Sequence, residues 1–170
     1  MRRGELLGLH WRDINLNQDT LQVRYILQQG GVLGEPKTAK ARRQIALASL
    51  AVEALQRQRI RQLKARYEAG ELWMETDFVF TNAYGNYVDP DNMQHRSFGP
   101  LLRRAGLRKI RFHDLRHTAA TLLLALDTRP KVVQELLGHS QIAVTMDVYS
   151  HVLPTMQHEA MNGLDKLLRP

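Results

Sequence analysis

The sequence predicts a mainly α-helical domain carrying one small antiparallel β-sheet, an α+β fold. Apolar and polar residues alternate in Ile14–Leu27 and again in Arg42–Leu47, the period of half-buried strands. From Ser49 onward apolar residues recur at helical spacing instead, and Gly, Asp and Pro punctuate that stretch into short helices. A chain of 170 residues suits one domain with a sizeable core.

The elements follow in order. Glu5 to Trp11 reads as the end of a helix with Leu6, Leu7 and Leu9 on one apolar face. Asn15, Asn17, Gln18 and Asp19 mark a turn inside the first strand region, and Gln28-Gln29-Gly30-Gly31 marks another. The polar stretch Glu35–Ala41 separates these from the Arg42–Leu47 strand. Ser49 is placed to cap a helix that runs to about Ala69 and closes at Gly70. Val52, Leu55, Ile60, Leu63 and Tyr67 form its apolar stripe, with Arg57, Arg59, Arg61, Lys64 and Arg66 elsewhere. Phe78-Val79-Phe80 reads as a short strand, and Asn82 to Asn86 as a turn. Asp89 or Asp91 starts a helix ending near Gly106. Four more are expected at Phe112–Leu126, Pro130–Leu137, Ile142–Tyr149 and Pro154–Leu168, with Pro130 and Pro154 at first helical positions.

Composition narrows the function. Lys plus Arg number 24 against 17 acids, a net charge of +7, and the isoelectric point is about 10.0. That balance favours a polyanionic partner, because each neutralised phosphate releases counterions; a basic surface kept for solubility is the duller explanation. The longest apolar stretch, Ala119 to Leu126, falls short of the ~20 residues a membrane span needs. The N-terminus lacks the apolar core of a signal peptide. With no cysteine there is no disulfide, thiol chemistry or Cys-based zinc site, and a cytoplasmic protein fits best.

Cutting DNA without a metal needs a nucleophile, cations over the scissile phosphate and a proton donor for the leaving oxygen. Arginine suits the second role because its planar fork gives two parallel hydrogen bonds to phosphate. A tyrosine serves as nucleophile only beside a base and a cation, since its ordinary pKa near ~10 keeps it protonated. Candidates for every role are present. His113 and Arg116 share one face of a helix; His139 follows the Gly138 terminus of another; Tyr149 sits near a third helix end, before the break at Pro154. Arg2 and Arg3 precede Glu5 at the opposite end of the chain.

The order Arg-x-Gly-Glu-Leu, Pro-Lys-Thr, His-x-Leu-Arg-His, Leu-Gly-His-Ser and then a tyrosine about ten residues on resembles the tyrosine recombinase family of the phage-integrase type, from Arg2 to about Leu153. The resemblance implies that Arg2 and Arg116 are the two phosphate-binding arginines, with Glu5 supporting the site. It implies that Lys37, on a β-hairpin, protonates the leaving 5′ oxygen, and that His113 assists proton transfer. His139 occupies the position that hydrogen-bonds the phosphate, and Tyr149 the position that forms a 3′-phosphotyrosyl link. Double-stranded DNA is the implied partner, in a homotetramer with accessory DNA-bending proteins; no cofactor and no metal is called for.

Each residue alone has a plainer explanation. Tyr149 reads as a half-buried tyrosine with a satisfied hydroxyl, Arg116 as a salt-bridge partner of Asp114 or Glu135, and His139 as a surface residue after a glycine cap. His113 and His117 are spaced as two zinc ligands, but an arginine between them and no zinc-protease Glu argue against that. Lys40 competes with Lys37, and Arg3 with Arg2. His10, His95, His151 and His158 read as surface or packing residues, and the arginines of Arg57–Arg66 as a solvated face or a track for a DNA backbone. Val152, Met156, Met161, Leu164 and Leu168 form a stripe that docks on the same molecule or, as the resemblance implies, exchanges between subunits. The family carries further helices and a core-binding domain before the first arginine, so the chain is expected to be an N-terminally truncated catalytic domain with apolar surface open on Leu6, Leu7 and Leu9, prone to dimerise. A non-catalytic DNA-binding remnant and a type IB topoisomerase-like enzyme are the rival functions.

Overall fold

Helix α1 (Arg3–Leu7) opens the fold in this computed structural model, which describes residues 1–36, 41–149, 161–162 and 165, with the side chains of all of these except Val148 and Tyr149. The helix stops at Gly8 rather than running to Trp11, because the chain turns at once into sheet contacts: His10 bridges Phe78, and a 3-10 turn at Trp11–Asp13 feeds the first strand. Strands β1 (Ile14–Asn15) and β2 (Thr20–Val23) flank the predicted polar turn, where the Asn15 carboxamide accepts from the backbone of Asn17 and Gln18. Strands β3 (Ile26–Leu27) and β4 (Leu33–Gly34) form an antiparallel pair around the Gln28–Gly31 turn, and β5 (Arg43–Ala46) follows. The order β1-β2-β5 makes an antiparallel three-stranded sheet, with Leu21 opposite Ile45 and Val23 opposite Arg43. That register puts Leu21, Val23 and Ile45 on one face, packed with Leu9, Leu55 and Val79, and carries Arg43 to the sheet edge beside α1. Strand β3 falls within the expected Ile14–Leu27 strand region, whereas its partner β4 was not expected.

The open surface expected on α1 is absent at two of its three leucines. Leu7 is 2% exposed where β3 lies against the helix, and Leu9, just past it, is 3% exposed in the core formed with Leu21, Val23, Ile45, Leu55 and Val79. The approach depends on glycine: a Cβ at Gly4 would stand 2.7 Å from the Leu27 carbonyl oxygen, and one at Gly8 2.9 Å from the Leu27 nitrogen.

Helix α2 (Ser49–Ala69) has the predicted length, but Ala48 occupies the N-cap and Ser49 is its first residue, so the expected serine cap is not made. Nor does the apolar stripe pack. Leu55 alone is buried, whereas Ile60, Leu63 and Tyr67 face outward. The helix is anchored instead by amides: Gln58 donates to the Val79 carbonyl, and Gln62 donates to Phe78 and accepts from the Trp11 indole at 2.6 Å. Residues Phe78 to Phe80 form no strand beyond the His10 bridge, yet Phe78 and Val79 are core.

Asp89 caps α3 (Pro90–Asn92) through its carboxylate, which accepts from the Asp91 and Asn92 amides. A π-helical turn at Met93–Phe98 joins it to α4 (Gly99–Arg104), so the predicted helix is one run of three geometries. Helices α5 (Asp114–Ala125), α6 (Pro130–Leu137) and α7 (Ala143–Tyr149) build a second core from Ala120, Leu124, Val133 and Leu137. Each large side chain buried there contributes roughly 1.5–3 kcal/mol. Among the described residues no helix is long and apolar enough to cross a membrane. The expected helix over residues 154–168 lies outside the described residues apart from Met161, Asn162 and Asp165.

Candidate active site

Glu5 is the hub of a buried charge cluster. Its side chain is fully buried and receives four donors: the Arg2 backbone N–H (2.8 Å) and Arg43 Nη2 (2.9 Å) on Oε2, and Arg2 Nη1 (2.9 Å) and Arg43 Nη1 (3.3 Å) on Oε1. Burial alone would push this carboxyl up; the bonds from Arg43 and Arg2 outweigh it and hold the group below the ordinary value of 4.5. Arg2 rather than Arg3 is the arginine turned into the cluster. Arg3 donates to the Pro90 carbonyl and pairs with Asp91 instead.

The same two guanidiniums reach the end of α6. Arg2 Nη2 donates to the Gly138 carbonyl and Arg43 Nε to the Leu136 carbonyl, both at 3.0 Å. Gly138 closes α6 in the left-handed conformation, φ 70°, and the next amide, His139, bonds back to the Gln134 carbonyl at 3.0 Å. The buried Gln134 side chain donates to the His139 carbonyl. This turn throws the His139 ring inward, where Nδ1 lies 2.9 Å from the Thr145 hydroxyl and the residue is only 9% exposed. Burial first, then the Arg116 and Arg2 charges, push its pKa down to about 4, so the ring is neutral at pH 7. It is not the surface residue its position after a glycine cap suggested.

Arg116, on the first turn of α5, is 6% exposed, and among the described residues neither of its terminal nitrogens has a hydrogen-bond partner. The salt bridges considered from sequence are not made: Asp114 pairs with Arg111 at 2.8 Å, and Glu135 with Lys131 at 3.4 Å. Burial, and next the nearby Arg2 charge, lower Arg116 to about 10, which leaves it protonated at neutral pH. His113 precedes α5 on the exposed rim; burial and then His117 lower its pKa, with Arg116 and Arg2 adding to the effect. The rings of His113 and His117 meet edge to face at 5.1 Å, and no group of three or more metal-ligating side chains is found among the described residues.

Arg2, Glu5, Arg116 and His139 are therefore brought together, with His113 at the rim. Lys37 and Lys40 lie outside the described residues, and Tyr149 is the last residue of α7, described by its backbone alone. A cleft of about 390 Å³ opens on Arg2, Gly138 and Ser140. A larger one, about 560 Å³, runs along the sheet from Trp11 to Gln44 and holds none of these residues. Sequence reading missed Arg43, Gln134 and Thr145. For Thr145 a weak signal existed, a hydroxyl one helical turn before Tyr149; for the other two, ordinary polar residues in a strand and a helix, there was none. Buried cations with open donors are suited to binding an anion, and phosphate is the anion whose geometry matches an arginine fork.

A model of the phage integrase family matches residues 1–156. The tyrosine recombinase XerC-like protein of Caldanaerobacter subterraneus subsp. tengcongensis is 34% identical over 182 residues, taking in 98% of this chain and 46% of the relative. The ICEBs1 integrase of Bacillus subtilis is 29% identical over 171 residues, 99% of this chain and 46% of its own. Among solved structures, the Tn1549 transposon integrase in complex with transposon right end DNA superposes with a TM-score of 0.74 at 25% identity, over 94% of this chain and 55% of the other. XerA recombinase gives a TM-score of 0.69 at 25% identity, over 99% and 53%. The chain spans about half the length of the curated relatives it matches.

Proposed function

The chain belongs to the phage integrase family, and from that premise we propose that it cuts and rejoins double-stranded DNA through Tyr149. The single observation that carries the reading is Arg116: a buried guanidinium with both terminal nitrogens open among the described residues, beside Arg2 and a neutral His139. A scissile phosphate takes up those donors. Arg2 and Arg116 stabilise the charge that grows on its oxygens as the attack proceeds. In the tautomer whose Nδ1 accepts from the Thr145 hydroxyl, His139 carries its proton on Nε2 and offers one more donor to the same phosphate. The Tyr149 oxygen attacks phosphorus as its phenolic proton passes to neutral His113, the bond to the 5′ oxygen breaks, and Lys37 delivers the proton that oxygen needs. Attack by a second 5′ hydroxyl on the phosphotyrosine reverses the balance, reseals a strand and frees Tyr149. The bond energy is kept in the phosphotyrosine, so this sequence of steps needs neither ATP nor a metal.

The net charge of +7 and DNA-bound relatives such as the Tn1549 integrase support DNA as the partner. Assembly as a homotetramer on DNA, with accessory bending proteins and with residues 154–168 exchanged between subunits, completes the proposal, as does a cytoplasmic location. The test is covalent trapping on nicked duplexes. A denaturant-resistant adduct that disappears in Tyr149→Phe is expected. An adduct surviving that substitution refutes Tyr149 as nucleophile; no adduct from the wild-type chain favours the non-catalytic DNA-binding reading. A relaxation assay on supercoiled plasmid separates the topoisomerase-like alternative.

A further inference from the structure

We infer that Arg43 is a positioning residue: it fixes Arg2 and His139 relative to each other by gripping Glu5 with one edge and the last turn of α6 with the other. The inference rests on the reading of the site proposed above. Arg43 differs from the other two arginines in how its donors are used. Nε is given to the Leu136 carbonyl, Nη1 to Glu5 and the Ala41 carbonyl, and Nη2 to Glu5, and the side chain is 7% exposed. Arg2 is 40% exposed, and Arg116 keeps both terminal nitrogens open among the described residues. Arg43 thus commits its donors to the frame, while Arg2 lines the cleft at Gly138 and Arg116 keeps its terminal nitrogens open.

A second observation shows how closely the frame is fitted. Any Cβ at Gly138 would lie 2.6 Å from Arg43 Nη1 and 2.7 Å from its Cζ, so the guanidinium lies flush on the glycine that turns His139 inward. Arg43 stands at the end of β5, paired to Val23 across the sheet, which roots it in the first core. Through it, three segments remote in sequence, α1, β5 and the α6 terminus, share one rigid junction. A lysine cannot replace it, because one ammonium reaches either Glu5 or the Leu136 carbonyl and not both.

The experiment compares the wild-type chain with Arg43→Gln and Arg43→Lys in three measurements: titration of the Glu5 side-chain carboxyl by ¹³C NMR, affinity for a nicked duplex, and the single-turnover rate of adduct formation. In both variants the adduct rate is expected to fall about 100-fold, the cost of a misplaced catalytic group of order 1 Å. Duplex affinity stays within about threefold, since the phosphate-facing arginines remain. The Glu5 titration moves to higher pH in Arg43→Gln. A residue serving general stability alone would lower the melting temperature and leave the Glu5 titration and the rate per folded molecule unchanged; that result overturns the inference. Full rescue by Arg43→Lys overturns it too. If the wild-type chain forms no adduct, the strand-transfer proposal falls by itself. The Glu5 titration then still decides on Arg43, an upward move supporting the grip and no move refuting it.

Discussion

Replacing Glu5 by glutamine probes the balance of the whole cluster. The substitution keeps shape and volume but removes the one negative charge that Arg2 and Arg43 share, in a pocket where Arg116 is already buried with both terminal nitrogens open among the described residues. Breaking a buried ion pair from one side typically costs about 3–5 kcal/mol, because the remaining charge stays desolvated. With a urea slope of about 2 kcal/mol/M for a domain of this size, 4 kcal/mol moves the unfolding midpoint down by about 2 M. Two controls follow from the same electrostatics. Sulfate should stabilise Glu5→Gln more than it stabilises the wild-type chain, since an anion then supplies the missing counter-charge. The pH dependence should change as well. The folded pKa of Glu5 lies below 4.5, so its stabilisation is present above pH 4.5 and is lost as the pH falls through the folded value. The variant lacks that component of acid denaturation. A midpoint shift under about 0.5 M, with equal sulfate responses, would refute the idea that Glu5 carries the cluster.

His139 has a folded pKa of about 4 against an ordinary 6.5, so its contribution is full above pH 6.5 and is lost as pH falls from 6.5 through 4; unfolding measured across that window should decline by up to about 3 kcal/mol, and His139→Gln should remove the slope. Gly138→Ala meets both a φ of 70° and the Arg43 guanidinium, and a loss of about 2 kcal/mol or more is expected in the same assay. Gln62→Leu strands the Phe78 carbonyl and the Trp11 indole and should cost about 2–3 kcal/mol, whereas Ile60→Ser, on the outward face of the same helix, should stay within about 0.5 kcal/mol.

Those last two substitutions mark where sequence patterning misled. Periodicity located α2 to the residue at its C-terminus, yet it assigned the wrong face, because Gln58 and Gln62 point inward to satisfy backbone carbonyls that no strand ladder covers. Helix α6 was legible because it begins at Pro130 and ends at Gly138, and α5 was legible from the apolar run after Asp114, although its expected start at Phe112 is two residues early. Arg2, Glu5, Arg116 and His139 were legible only as a joint pattern, and the structure brings those four together without describing the Lys37 loop or the Tyr149 side chain. Arg43 and Gln134 were not legible, and Thr145 only weakly, from its place one turn before Tyr149. The partner of Arg43 lies 38 positions away, and Gln134 and Thr145 both meet His139, just past the Gly138 turn, where no helical or strand period applies.

The direction of α6 explains why so many arginines are needed. A helix C-terminus carries roughly half a negative charge on its unpaired carbonyls, and this one ends at the residue before His139, beside the cleft where a phosphate is proposed to sit. Left alone, those carbonyls would repel the anion. The Gly138 and Leu136 carbonyls instead accept from Arg2 and Arg43, which Glu5 bridges, so the helix end presents a neutralised surface. Two cations and one carboxylate offset the helix end, and that leaves Arg116 as a buried positive charge whose terminal nitrogens have no hydrogen-bond partner among the described residues, with the already shared Glu5 acting on it only through space. On this account the net attraction for phosphate resides in Arg116, while Arg2 contributes only its outward edge. Arg116→Gln should therefore weaken duplex binding at the cleavage site more than Arg2→Gln, which should mainly disturb the Glu5 cluster and lower stability. The reverse order, read from binding and urea midpoints on the same two proteins, would show that the α6 terminus is not neutralised in this way.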